Sequence, residues 1–136
     1  MNEPRIIILK TDSTHVEGVR RNAKHATDVP PRNLSPGDII LIQVTVLSSN
    51  NPEPVIRYRM EFVRCYEDKM KESDNIWGRH WRYIVEGRNL KNLLHPFDIR
   101  KLQTSNVSYG QGAIKYVYVR PQDAVILRAR RLLDTA

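Results

Sequence analysis

The chain has 136 residues, enough for one domain with a core of its own, and its 40% hydrophobic and 27% charged content belongs to a folded globular protein and excludes wholesale disorder. Lys and Arg exceed Asp and Glu by 22 − 15 = 7, with a pI of about 9.8, a balance that favours a polyanionic partner and nucleic acid first of all. No apolar run approaches the roughly 18–20 residues of a membrane span, Ile6–Leu9 is too short for a signal segment, and Cys65 is the only cysteine. A cytoplasmic address is therefore expected, with no membrane, no internal disulfide and no Cys-based zinc site.

Along the chain, RIIILK (Arg5 to Lys10) is a short β-branched run and predicts a buried strand. Thr14-x-x-Glu17 then has capping-box spacing, predicting a helix from His15 to about Lys24 with Val16, Val19 and Ala23 on one face. Gly18 is a poor helix former in the middle of it. The proline-rich Asp28 to Gly37 must be a loop, and DIILIQVTVL (Asp38 to Leu47) is the strongest strand pattern, its first half apolar on both faces as suits a central strand. After a turn, Val55 to Tyr66 alternates apolar and charged residues until the pattern slips at Phe62-Val63, the expected mark of a bulge.

Glu67 to Gly78 reads as a charged loop and Trp81 to Gly87 as a strand, with Trp81, Tyr83 and Val85 on one face. Asn89 to Gln103 is mixed and broken at Pro96. A last strand, Ile114 to Arg120, is entered through the glycine-rich Tyr109–Gly112, and Pro121 opens a closing helix through about Leu133. This order does not alternate βαβ units. It predicts one α+β domain over residues 1–136, built on a strongly curved sheet or small β-barrel flanked by helices.

Both tryptophans fall within SDNIWGRHWRYIV (Ser73 to Val85). Period-two spacing makes Trp81 a core residue. Trp77, beside Gly78 in a polar loop, is either a lid over the core or a stacking platform for a base. Catalysis has little support. His15, His25, His80 and His95 show no metal-ligand spacing, Cys65 on an apolar strand reads as buried and inert, and neither GxSxG nor paired carboxylates occur. No enzyme activity and no cofactor are expected.

RIIILKTDSTHVEGV resembles the opening strand, turn and short helix of YTH domains, the readers of methylated adenine, and LSPGDIILIQVTV resembles the central pair of the wider PUA-like group, including EVE domains. FDIRKL and VYVRPQDAVI are similar to the end of EVE domains. The resemblance implies a PUA-like fold and a nucleic-acid-binding module, and it puts Trp77 where such readers place one wall of an aromatic cage. The cage tryptophan that YTH domains carry after their first helix is missing, because this chain reads His25-Ala26-Thr27-Asp28 there. The module also resembles the N-terminal recognition domain of McrB-type modification-dependent restriction systems. That likeness implies an N-terminal module of a larger protein, with a GTPase motor in the full-length chain and a nuclease on a partner, since no GxxxxGK[ST] loop is present here.

A flipped base needs an aromatic wall, groups that read its edge and a cationic rim. The expected base pocket is Trp77, with Tyr66 or Tyr83 as a second surface and the turn Lys10-Thr11-Asp12 reading the edge. The resemblance implies that Asp12 accepts from a ring or exocyclic N–H; the plainer reading makes it an Asx-type turn before the helix. Arg20, Arg21, Lys24, Lys69, Lys71, Arg79 and Arg82, together with Arg57 and Arg59 on one strand face, are the expected backbone contacts. Arg128, Arg130 and Arg131 belong to a solvated helix face. The expected partner is modified DNA, with RNA, or an acidic protein partner met by the basic surface, as alternatives.

Overall fold

The computed structural model describes residues 3–46, 54–98 and 116–136. In chain order the elements are β1 (Ile6–Asp12), α1 (Val16–Asn22), β2 (Lys24–Thr27), β3 (Ile39–Thr45), β4 (Val55–Glu67), α2 (Glu72–Trp77), β5 (Tyr83–Phe97), β6 (Tyr116–Tyr118) and α3 (Pro121–Ala129). Among the described residues the strands form one mixed six-stranded sheet in the order β2-β5-β4-β3-β1-β6, curled into a half-barrel. The α+β expectation with a strongly curved sheet holds.

The sheet is organised around β1 and β3, which pair in parallel from Ile6↔Ile39 to Asp12↔Thr45. Ile6 to Leu9 and Ile39 to Val44 are buried without a break, because the sheet is covered on both faces here. One face joins Ile6, Ile8, Ile39, Leu41, Ile56 and Leu93 to Leu127 of α3 and to Leu133. The other joins Ile7, Leu9, Ile40, Ile42, Met60 and Val85 to Val19 of α1. Antiparallel β4 and β5 extend the sheet, and their register shifts between Phe62 and Arg64, where the alternation slips.

The proline-rich segment is irregular as expected, and its end is fastened by Asp38. The Asp38 carboxylate accepts from the amides of Arg5 (3.0 Å) and Ser35 (2.8 Å), while Gly37 supplies a φ of 96° that a side chain would resist.

Several local expectations need correction. The capping box does not form: α1 begins after His15 without a side-chain cap, and Glu17 pairs instead with Arg20 (3.0 Å) and Arg21 (3.1 Å). Asp12 has taken its place, accepting from the amides of Thr14 (2.9 Å) and His15 (3.0 Å). The helix stops at Asn22 because Ala23 turns left-handed (φ 52°), and the next residues form β2, an edge strand where helix was expected. Part of the charged loop folds as α2. β5 runs through Asn89 to Phe97, including Pro96, which was expected to break it.

The closing helix ends at Ala129 rather than near Leu133. Leu133 is drawn into the core, so the tail doubles back on β5, with the Leu94 amide bonded to the Asp134 carbonyl (2.9 Å) and the Ala136 amide to that of Asn92 (3.0 Å). Arg130 and Arg131 are exposed as expected but lie beyond the end of α3, Arg131 pairing with Asp134 (2.9 Å), while half-buried Arg128 pairs with Glu3 (3.2 Å). The glycine-rich approach to the last strand and FDIRKL beyond Asp98 lie outside the described residues. No helix among the described residues is long and apolar enough to cross a membrane.

Because β3 is covered on both sides, Ile40→Ala is expected to cost about 2–5 kcal/mol by chemical denaturation. Val125→Ala on exposed α3 surface should change stability by less than about 0.5 kcal/mol.

Candidate functional site

The C-terminal end of β1, the start of α1, edge strand β2 and helix α2 meet around one cavity of about 140 Å³. Its walls are Lys10, Thr11, Asp12, His15 and Val19 from the first crossover, His25 to Asp28 from β2 and its end, and Trp77, Arg79 and Trp81 from α2 and the loop after it.

Helix α2 is short and exists because a buried carboxylate organises it. Asp68 accepts from the amides of Glu72 (2.8 Å) and Ser73 (2.9 Å) and from the Ser73 hydroxyl (2.5 Å). Burial pushes the Asp68 carboxyl up, but these hydrogen bonds and the nearby His80 outweigh it and hold the group below the usual carboxylate range. Ser73, itself fully buried, accepts from the Trp81 amide (2.9 Å), so the same network fixes both ends of the loop. Left-handed Lys71 (φ 57°) and Gly78 (φ 73°) bracket the helix.

A second brace ties α2 to the sheet. Glu72 accepts from Lys24 (2.6 Å) and from the Tyr66 hydroxyl (2.8 Å). The Lys24 contact first, and then that of Tyr66, lower the Glu72 carboxyl, and Glu72 in turn raises Lys24. Asp68, Asp74 and His80 approach within 4.8 Å of one another. Asp68 is already committed to α2 and His80 Nδ1 lies 2.8 Å from Asp74 Oδ1, so this trio is a further brace of the loop.

The two indoles stand as an angular corner, with centroids 5.9 Å apart and planes at 80°. Trp77 donates its N–H to the His15 carbonyl (2.8 Å), which leaves the ring's surface and not its donor to the cavity. The His15 imidazole meets Trp81 edge to face at 5.4 Å and lies 2.8 Å from Asp12 Oδ1. The exposed Arg79 guanidinium sits 4.5 Å above the Trp81 ring. Lys10 is half-buried beside them, and burial lowers its ammonium from the ordinary lysine value.

Of the expected pocket residues, the structure brings together Trp77, Asp12, Thr11 and Lys10. Tyr66 and Tyr83 stand outside: Tyr66 belongs to the Glu72 brace, and Tyr83 pairs with Thr27 and Glu67 beneath the Arg82 guanidinium. Trp81 corrects the core assignment, because β5 starts only at Tyr83, and the half-buried indole lines the cavity. Asp12 does make the plain turn expected of it through Oδ1.

Among the expected cationic residues, Arg79, Arg82, Lys69 and Lys71 are exposed on the α2 side. Lys24 is held by Glu72, and Arg20 and Arg21 share Glu17. Arg57 is exposed, but Arg59 is half-buried and donates to the Leu133 carbonyl (2.9 Å), which makes it a fastener of the tail. The sequence reading overlooked His15, Trp81 and β2. The position where a cage tryptophan was missing, His25 to Asp28, was the available signal, because that segment lines the cavity. Cys65 is half-buried with its thiol pushed up by burial, a poor nucleophile at neutral pH.

No protein-family model matches the chain. No curated protein sequence matches it either. Among solved structures, it is similar to the YTH domain of the Zygosaccharomyces rouxii MRB1 protein, crystallised in complex with N6-methyladenosine RNA, with a TM-score of 0.58 and 16% sequence identity over 95% of this chain and 88% of that one. At this identity the likeness is one of fold, and the fold is YTH-like.

Removing the Asp68 carboxylate strands one buried hydroxyl and two amides, so Asp68→Ala is expected to cost about 1–3 kcal/mol and to flatten the tryptophan near-UV dichroism. Depressed carboxyls stabilise the fold above their unfolded values of about 4 and lose that contribution as pH falls through the lower folded values. Acid titration of the wild type below about pH 4 should therefore loosen the indole corner, and Asp68→Ala should lose part of that acid dependence.

Proposed function

We propose that this chain is a non-catalytic nucleic-acid recognition module that takes one unstacked, modified base into the cavity between Trp77, Trp81 and the Lys10-Thr11-Asp12 turn. The observation that carries the reading is the convergence itself. Segments more than sixty residues apart in sequence place an aromatic corner, a half-buried ammonium and short polar groups around a single-base-sized space, with Arg79 at its rim. Fold similarity to a domain solved with N6-methyladenosine RNA supports it.

In this reading Trp77 supplies a stacking surface, since its N–H is already satisfied and the ring is held in place. Trp81, pinned by Ser73 and backed by Arg79, supplies the second wall in place of the tryptophan absent from His25 to Asp28. Lys10 offers a donor whose charge is poorly solvated, so an acceptor on the base or an adjacent phosphate oxygen restores what burial removed. Asp12 uses Oδ1 for its turn and presents Oδ2 to an exocyclic or ring N–H. Arg79, Arg82, Lys69 and Lys71 follow the backbone.

Methylated DNA with a flipped base, read on behalf of a McrB-type restriction system with its GTPase motor and separate nuclease, is the reading that the sequence resemblance favours. Methylated RNA is the second reading, favoured by the ligand of the YTH neighbour. An unpaired ribonucleotide reaches the same cavity without the unstacking that a duplex demands.

Titrating oligonucleotides with and without N6-methyladenine, as RNA and as duplex DNA, decides among these. Trp77→Ala should weaken binding to the preferred oligonucleotide about 5- to 150-fold, corresponding to about 1–3 kcal/mol of stacking. Arg79→Ala should lower affinity for methylated and plain oligonucleotides alike and reduce the salt slope by about one. Unchanged binding in Trp77→Ala beside a loss in Arg79→Ala would sink the base pocket and leave only a basic surface. No binding to any oligonucleotide would favour an acidic protein partner.

A further inference from the structure

We infer that Gly18 is a positioning residue for the Trp77 wall, and that its missing side chain is what lets the indole lie in its working place. This rests on the proposed reading of the cavity, but the contact that carries it is independent of any ligand. A methyl group built at Gly18 would lie 2.8 Å from Trp77 Cδ1 and 2.7 Å from Ile76 Cγ2, and closer still to Trp77 Nε1. Real carbon atoms do not approach so near, so the Trp77 ring or helix α1 would have to move.

The ring has little freedom to yield. Its N–H is bonded to the His15 carbonyl at 2.8 Å, one turn before Gly18, and its backbone ends α2, where the Gly78 amide bonds to the Asp74 carbonyl at 2.9 Å. Trp77 therefore lies across the first turn of α1 with its five-membered ring over Gly18. The glycine and the carbonyl together set both the height and the rotation of the indole.

The same contact explains a residue that otherwise weakens its own helix. The Gly18 φ is not in the left-handed range, so no backbone conformation requires glycine there. Helix propensity alone would favour alanine and predicts that Gly18→Ala stabilises the protein. The indole contact predicts the opposite sign.

The test compares wild type, Gly18→Ala, Trp77→Ala and the double variant, each titrated with a short RNA and a duplex DNA carrying one N6-methyladenine and with their unmethylated forms. Gly18→Ala is expected to lower affinity for the preferred methylated oligonucleotide about tenfold, within the loss that removal of the stack causes, while salt-dependent binding to the plain oligonucleotide is unchanged. Its melting temperature should fall. In the Trp77→Ala background the same change should cost no further affinity, because a residue acting through the indole has nothing left to act on.

Wild-type affinity in Gly18→Ala, or an equal loss from Gly18→Ala with and without Trp77, overturns the inference. Unchanged affinity in Trp77→Ala overturns the base-pocket reading instead, which keeps the two failures apart. Should Gly18→Ala not fold, solvent exchange of the Trp77 indole proton in the wild-type protein decides: slow exchange supports the clamp, and exchange at the rate of a free indole overturns it.

Discussion

The parallel pairing of β1 with β3 is the constraint on which everything else depends. Two strands lying side by side in the same direction cannot be joined by a hairpin, so residues between Asp12 and Ile39 must cross over the sheet. That crossover supplies α1, which covers one face through Val19, and β2, which travels to the far edge and pairs with β5. The cavity forms where the departing crossover leaves β1 and where β2 returns beneath α2. A domain with these strands in a meander would bury similar residues and would have no such corner.

Around that corner, polar groups do structural work that only looks functional in the sequence. The Asp68 carboxylate is buried and saturated, Glu72 joins Lys24 and Tyr66, and Glu17 joins Arg20 and Arg21. Each satisfied group removes a candidate from the list of ligand contacts. What remains at the cavity is a smaller set in which Lys10 and Arg79 are the cations and two indoles and the imidazoles of His15 and His25 are the rings. Basicity over the whole chain thus overstates the charge offered to a ligand, because much of it is paired locally.

The architecture was legible where hydrophobic period carried it. Isoleucine-rich β1 and β3, the slip at Phe62-Val63 and the entry of α3 at Pro121 all follow from local pattern. The rest depended on contacts that spacing does not encode. Thr14 and Glu17 match a capping box, yet Asp12 already holds the Thr14 amide that Glu17 would reach back to. Trp81 fits a strand alternation, yet Ser73 holds its amide outside β5. β2 is four residues long with a histidine and an alanine at its centre, and only its partner β5 makes it a strand. Of the site, Trp77 and the Lys10–Asp12 turn were legible; the β2 wall was signalled only by the missing tryptophan at His25 to Asp28, and His15 by nothing, because it lines a space built by distant segments.

Cys65 has a practical consequence. As the chain's sole sulfhydryl, it sits on β4 opposite Val85 of β5, half-covered and with a thiol that burial keeps protonated. Alkylating reagents reach such a group slowly, through its exposed part and its small thiolate fraction, so the rate of maleimide labelling would report any loosening of the cover over this face of β4 without an added probe.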